Sequence, residues 1–240
     1  MTITIRPARR DDKRRVLEIS AQIWDGDDYV PSVFDAWVDD VDSEFAVAER
    51  SGLVIAFARR SWLLPGYAWL QGIRSDPAHR GRGAGRAITE HFIAQAEREG
   101  ADAIGLSTYV DNEASIHIIT SYGFRRVASF VLAETGRIEQ DAEESAEIHV
   151  VRVNTEQAVS HIRRSSWQAV ANGRYPWNWS VYPFDRAPQH AMARTPYRIA
   201  AMRRGRIRSL LCTSPNPVAS DTTFLSFLDG DPRDFGLLLE

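Results

Sequence analysis

The stretch best suited to chemistry is Arg80-Gly81-Arg82-Gly83-Ala84-Gly85-Arg86, three glycines interleaved with arginines ahead of a helical pattern. Glycine reaches backbone conformations closed to other residues and lets a ligand approach the main chain. Such a loop delivers N–H groups, and the positive end of the helix behind it, to one point; that is how a diphosphate is held. Arginine adds charge-assisted bonds to phosphate oxygens. Two familiar phosphate loops are excluded. No Gly-Lys-Ser/Thr is present, and position 86 is Arg where a dinucleotide fingerprint starting at Gly81 needs Gly. Other reactive residue types are scattered. His79, His91 and His117 lack metal-ligand spacing, so no metal is expected. Ser107 and Thr108 have no His/Asp pattern to activate them. Cys212 is the only cysteine, which excludes an internal disulfide and a multi-cysteine zinc site.

The elements that must carry this loop alternate between strand and helix. Thr2–Ile5 reads as a strand. Asp11 or Asp12 caps a helix with Val16, Ile19, Ile23 and Trp24 on one face. The loop Asp25–Tyr29 leads to Pro31 at the start of a short helix through Phe34 and Trp37. Glu44–Ala48, Leu53–Leu64 and Tyr67–Arg74, punctuated by Gly52 and Pro65–Gly66, form an antiparallel meander. The helix after the glycine loop carries Ile88, Phe92, Ile93 and Ala96 and stops at Gly100. Ala103–Tyr109 is the next strand, Asn112–Tyr122 a helix stopped by Gly123, and Phe124–Leu132 a closing strand.

Ile73-Arg74-Ser75-Asp76-Pro77 as a strand end, Arg80-x-x-Gly83-x-Gly85 as a loop, and Asn112-x-x-Ser115-Ile116 running to Gly123-Phe124 together resemble the GNAT superfamily of N-acetyltransferases over about residues 1–132. The resemblance implies a mixed, mostly antiparallel sheet flanked by helices, with acetyl-CoA as cosubstrate. Its diphosphate would rest on Arg80, Gly81, Arg82, Gly83, Ala84, Gly85 and Arg86. The main chain of Ile73 and Ser75 would pair with the pantetheine arm, and Asn112 would bond further along. An amide near Ile73 would polarise the thioester carbonyl. Two positions depart from the family pattern. A tyrosine acid often stands seven residues after Asn112; here that position is Ile119, and Tyr122 lies one turn on. A glutamate often precedes the residue equivalent to Gly72; here it is Gln71, which can orient a water or an amine but cannot accept a proton. Asp27, Asp28 and Glu44 remain as candidate bases. The segment Trp24-Asp25-Gly26-Asp27-Asp28-Tyr29-Val30-Pro31 resembles histidine N-acetyltransferase-like members, which implies that Asp27, Asp28 and Tyr29 cover the acceptor.

Past the glycine-loop unit the pattern begins again. Val151-Arg-Val, a helix over Thr155–Val170, an aromatic segment Tyr175–Phe184, a strand pair turning at Gly205, and Phe224–Pro232 ending Asp-Pro repeat earlier landmarks in the same order. Nothing in this copy corresponds to the glycine loop, and Arg233–Glu240 reads as a helical tail. The expected organisation is a catalytic domain 1–133, an acidic linker 134–146, and a partial, degenerate GNAT-like α/β domain 147–240. The aromatic cluster from Trp167 to Phe184 suits the core of that small domain. A chain of 240 residues with 44% hydrophobic and 25% charged content is globular, and its net charge of −3 argues against a nucleic-acid partner. No apolar run nears the ~20 residues of a membrane span, and the opening MTITIRPARRDD lacks a secretory h-region, so a cytoplasmic location is expected. The expected activity is direct acetyl transfer to the primary amine of a small molecule such as an amino acid. The alternatives are a protein or peptide N-acetyltransferase and a non-catalytic acetyl-CoA sensor. A homodimer stays open.

Overall fold

The computed structural model describes residues 2–131, 133, 136, 147–216 and 221–239. The chain separates into two compact units, Met1–Arg125 and Arg126–Glu240. The proposed linker 134–146, save Gly136, lies outside the described residues, as do Leu132 and Glu240.

In the first unit the elements run β1 (Thr4–Pro7), α1 (Lys13–Ser20), α2 (Val30–Asp39), β2 (Glu44–Arg50), β3 (Leu53–Leu64), β4 (Tyr67–Ser75), α3 (Ala84–Arg98), β5 (Ala103–Leu106) and α4 (Glu113–Ser121). The five strands pair in sequence order. All contacts are antiparallel except β4 with β5, which is parallel. Strand alternation sorts the core. Phe45, Val47 and Phe57 face Val16, Ile19, Phe34 and Trp37 of α1 and α2, while Ala46, Ala58 and Leu70 face Ile88 and Phe92 of α3. The α3 side is lined by small residues on the sheet, so the helix seats closely there.

Three expectations for this unit need correction. The first strand lies two residues later than Thr2–Ile5. The fifth ends at Leu106 and not at Tyr109. No strand forms over the described part of Phe124–Leu132; Val127 and Val131 are exposed, Phe130 lies 6.4 Å from Trp167 in the second unit's aromatic cluster, and β5 offers only a four-residue edge to pair with. The segment has no strand partner here, and a strand without a partner is not a stable element.

The second unit runs β6 (Ile148–Arg152), α5 (Thr155–Arg164), α6 (Trp167–Val170), β7 (Arg174–Trp177), β8 (Ser180–Pro183), α7 (Pro188–Arg194), β9 (Tyr197–Arg203), β10 (Arg206–Pro215), β11 (Thr223–Asp229) and α8 (Phe235–Leu239). The expected helix Thr155–Val170 breaks at Ser165, whose backbone is extended and whose Oγ accepts from the Trp167 N–H. The Tyr175–Phe184 segment, expected to match a loop and helix, forms a hairpin turning at Asn178–Trp179; Tyr175, Tyr182 and Phe184 are fully buried in it.

The second sheet pairs in the order β6-β9-β10-β11, the same path as β1-β2-β3-β4. The agreement extends to detail. Both hairpins turn on two residues with positive φ, Ser51–Gly52 and Arg204–Gly205. The strand after each turn bulges three residues in, at Ile55 and at Arg208. Each sheet strand β4 and β11 leads to an Asp-Pro whose carboxylate accepts from the N–H two residues on, Asp76 from Ala78 and Asp231 from Arg233. After that short turn the paths diverge. Four residues, Arg80–Gly83, precede α3, whereas α8 follows Asp234 directly.

Candidate active site

Strand β4 carries the geometry on which the site depends. Its ladder with β3 runs to Ser75 but skips a residue between Gln71 and Arg74. This is a bulge, and Gly72 occupies it with φ of +63°. A Cβ there would lie 2.8 Å from the Trp37 ring, so glycine is required both by conformation and by space. The ladder with β5 ends at Leu70↔Leu106. From Gln71 on, the β5-side edge of β4 therefore runs outside strand pairing, as an extended ligand would need.

Just beyond this edge lies the glycine loop. Gly81 and Gly83 have φ of +72° and +84°, and a Cβ on either would meet nothing within 4 Å. The loop is open toward solvent, and Gly83 caps α3 in a left-handed conformation. No acidic residue stands in the first turn of α3 to compete with an anion. Ala84 is buried against the sheet at Ala56 and Ile55. Gly85 is helical and plays a different part: a Cβ there would touch Ser75 Oγ at 3.4 Å and Ile118 at 3.6 Å, so it sets the approach of α3 to β4 and α4. Arg80 and Arg82 are exposed. Arg86 turns away from the loop, donating to Ser121 Oγ at 3.1 Å and lying over the Tyr122 ring.

Asp76 anchors the turn before the loop. Its carboxylate accepts from Ala78 N–H at 2.9 Å, pairs with His79 Nδ1 at 2.8 Å and with Arg15, and is almost wholly buried. Burial alone would raise its pKa, but these three partners outweigh it and hold the carboxyl below the ordinary range. Asn112 caps α4. Its Oδ1 accepts from Ser115 N–H and its Nδ2 donates to Thr108, so both ends of the amide have partners inside the protein.

The opposite face of β4 meets the α1–α2 loop. Gln71 is the register partner of Arg59, which puts both on the side of Trp37. Arg74, on the same side, donates to Asp28 through Nη2 at 3.1 Å and Nε at 3.3 Å, with side-chain exposures of 11% and 0%. Its guanidinium also lies 4.2 Å from the Trp24 ring and 5.7 Å from the Tyr29 ring. Trp24, expected on the core face of the first helix, is instead half exposed, outside the helix and in edge contact with Tyr109. The Tyr29 phenol is raised above its ordinary pKa, mainly by burial, so it stays protonated.

These placements sort the candidates. Asp28 was read as a candidate base that covers the acceptor; the structure makes it the buried counterion of Arg74. Asp27 is exposed beside it. Glu44 points to the α3 face with Ala46, where Oε1 meets His91 at 3.0 Å, and so lies away from Trp37 and Tyr29. The Tyr122 hydroxyl donates to Glu90 on the exposed side of α3 at 3.3 Å. Asp28, Glu44 and Tyr122 are thus each engaged elsewhere, and of the sequence-read candidates for proton transfer Asp27 alone remains on the exposed loop. Arg74 was the residue that sequence reasoning missed: strict alternation from Leu70 assigns it to the α3 face, and the bulge at Gly72 brings it round to the loop.

A bulged β4 splayed from β5, with a glycine loop capping the next helix, defines a mixed α/β acyltransferase fold. The family model for the acetyltransferase (GNAT) family matches residues 12–124. N-alpha-acetyltransferase RimI of Mycobacterium tuberculosis is 30% identical over 129 residues, 52% of this chain and 80% of that protein. The chain belongs to the GNAT acetyltransferase family, and is an acyltransferase enzyme of the kind that takes its acyl group from acetyl-CoA. The ribosomal protein bS18-alanine N-acetyltransferase of Escherichia coli is 35% identical over 75 residues, 31% of this chain and half of that protein. Among solved structures, the E. coli ribosomal-protein-S18-alanine N-acetyltransferase covers 52% of the chain and 78% of its own length at 25% identity, with a TM-score of 0.47. An aminoglycoside N-acetyltransferase, AAC(6')-Iy in complex with CoA, covers 56% and 95% at 18% identity, also with a TM-score of 0.47. No described helix is long and apolar enough to cross a membrane, and no metal-ligating cluster occurs among the described residues.

Proposed function

We propose that the first unit transfers an acetyl group from acetyl-CoA to an α-amino group, and that its acceptor arrives without needing a strong protein base. Acetyl-CoA supplies the acetyl group as a thioester. The amides of Gly81–Gly85 and the α3 terminus hold the diphosphate, the free edge of Ile73 and Ser75 aligns the pantetheine arm, and a main-chain N–H at the Gly72 bulge donates to the thioester carbonyl. The leaving thiol has a pKa of roughly 8.5 and departs as thiolate without a tyrosine acid.

The carrying observation is that Gln71 beside the bulge is neutral, Asp28 is bound to Arg74 and Glu44 is on the other face, which leaves Asp27, on the exposed loop, as the one sequence-read carboxylate not engaged in this way. An amine attacks only when neutral. The α-amino group of a polypeptide N terminus, with a pKa of roughly 7.7–8.0, is about half neutral at pH 8, whereas a lysine amine near 10.4 is neutral in under about 1% of molecules. The site thus suits an α-amine. The names of the curated relatives favour the α-amine of a polypeptide; the likeness of the 24–31 segment to histidine N-acetyltransferase-like proteins favours a free amino acid.

Thiol release from acetyl-CoA, read against free amino acids, short peptides with free N termini, polyamines and Nα-acetyl-lysine, tests this. Burial pushes the Cys212 thiol up to about 12, so the chain's own cysteine stays silent in the assay. Turnover is expected on α-amines, with kcat/KM rising through the acceptor's own pKa. Preference for Nα-acetyl-lysine would overturn the reading, and tight cofactor binding without turnover on any amine would make the protein a sensor.

The second unit is, on the same reading, a degenerate copy of the first that has lost the glycine loop. The shared pairing order, bulge position, turn and Asp-Pro cap support it.

A further inference from the structure

The two units differ most usefully where the first helix meets the sheet. At the start of each helix a side chain accepts from the backbone N–H three residues earlier, Asp12 from Arg9 at 2.8 Å and Gln157 from Asn154 at 3.0 Å. The residue before each of these donors donates alike to the neighbouring strand, Ala8 to Phe45 O and Val153 to Arg198 O, which fixes the register between the two helices. Six residues past Arg9 stands Arg15 in the first unit, and six past Asn154 stands Ser160 in the second. Arg15 reaches from α1 into the sheet, where Nε donates to Val54 O at 3.0 Å and the guanidinium pairs with Asp76. In the second unit that reach is missing. The equivalent Asp231 is served by Arg208 from the β10 bulge, which also meets Asp234 at 3.1 Å.

With the long side chain replaced by a serine, a cleft of about 890 Å³ lies between α5 and the β9–β10 hairpin. The next position repeats the contrast. Val16 is fully buried in the first core, and its counterpart His161 lines the cleft with Nε2 buried and without a hydrogen-bond partner. Burial lowers the pKa of this imidazole, against a weaker opposing pull from Asp229, so the ring is neutral near pH 7 and offers one donor and one acceptor. An unsatisfied buried ring nitrogen in a polar cleft costs free energy that a ligand can recover. Charge around the cleft is balanced. Arg208 is spent on Asp231 and Asp234, leaving Arg164 and Arg206 against Glu156 and Asp229; none of these four has an ion-pair partner among the described residues.

We infer that this cleft is a second binding site, for a small zwitterion of the free amino acid class, with its carboxylate toward Arg164 and Arg206 and its ammonium toward Glu156 and Asp229. A bare anion would leave the two carboxylates opposed to it, and a polyamine would leave the two guanidiniums. The unit that lost one ligand loop has opened a different pocket between its helix and its sheet.

Calorimetric titration of the full chain with each of the twenty amino acids, and with inorganic phosphate, tests the site. Saturable binding of one amino acid or a related few is expected, with a Kd below about 1 mM. Ser160→Arg restores the arginine of the first unit and should weaken that binding by about tenfold or more, with thermal unfolding and thiol release unchanged. Arg206→Ala, at an exposed position that folding does not need, should weaken it comparably. Binding that survives both substitutions places the amino acid elsewhere, including the acceptor site of the first unit, and overturns the inference. So does phosphate binding in preference to every amino acid, or no binding by any of them at about 10 mM.

Discussion

Breaking the Arg74–Asp28 pair should loosen the acceptor loop without touching the cofactor. The loop is held in an unfavourable shape: Trp24 and Asp25 have φ of 47° and 56°, left-handed for residues that carry a Cβ. Each costs about 1–2 kcal/mol, so some 2–4 kcal/mol of strain opposes closure. The latch that offsets it consists of two charge-assisted bonds with both side chains nearly out of water, and a cation over Trp24 and Tyr29. Asp28→Asn keeps the shape and removes the charge, weakening the latch by about 1.5–3 kcal/mol. Part of that returns as relieved strain, so global stability should fall by less than the latch loses. The acceptor loop then samples open forms about 10- to 100-fold more often; with about 2–4 kcal/mol of strain opposing closure open forms come to predominate, and kcat/KM for the amine falls with the closed fraction, by up to that factor. Main-chain groups on the other edge of β4 hold the pantetheine, so KM for acetyl-CoA should stay constant. Initial rates of thiol release, with each substrate varied in turn, separate the two. An unchanged amine kcat/KM, or a parallel rise in both KM values, refutes the latch. Arg74→Ala should do the same more severely, since it strands a buried carboxylate at a cost of about 3–5 kcal/mol.

Gly83→Val should raise the Kd for CoA at least about tenfold, because a β-branched residue resists φ of +84° although space is free around it. Gly85→Ala, in helical geometry with only a 3.4 Å contact to Ser75 Oγ, should cost far less; calorimetry with CoA compares the two. Tyr122→Phe should change kcat by less than about twofold, since the hydroxyl is bonded to Glu90 outside the cleft; a proton donor would lose about 100-fold. Asp76 ties stability to pH. Its folded pKa is depressed, so its contribution is complete above the unfolded value near 3.9 and is lost as pH falls further through the folded one. Melting temperature against acid pH should therefore fall more steeply in the natural protein than in Asp76→Asn, which starts lower and stays flatter.

Local chemistry made much of this fold readable. Gly52, Gly66, Gly100 and Gly123 end elements as expected, each with positive φ, because turns are set by the residues that make them. The glycine loop was legible for the same reason. The bulge at Gly72 was not: a glycine inside an apolar strand shows its purpose only when Trp37, distant in sequence, arrives against it. The roles of Asp28 and Tyr122 failed similarly. Type and spacing showed that a carboxylate and a phenol were near the site, but their meaning depends on partners, Arg74 and Glu90, which lie 46 and 32 residues away. Local sequence also misled at Phe124–Leu132, read as a closing strand after Gly123, where the available edge, β5, is only four residues long.

Acetyl-CoA binding as proposed requires the glycine loop and the free edge of β4 to form one cofactor groove, and a crystal structure with CoA tests this most directly. The diphosphate should lie within hydrogen-bond distance of the main-chain N–H groups between Gly81 and Gly85, with the pantetheine arm alongside Ile73 and Ser75. A cofactor bound anywhere else on the chain, or a groove that stays empty at saturating CoA, would contradict it.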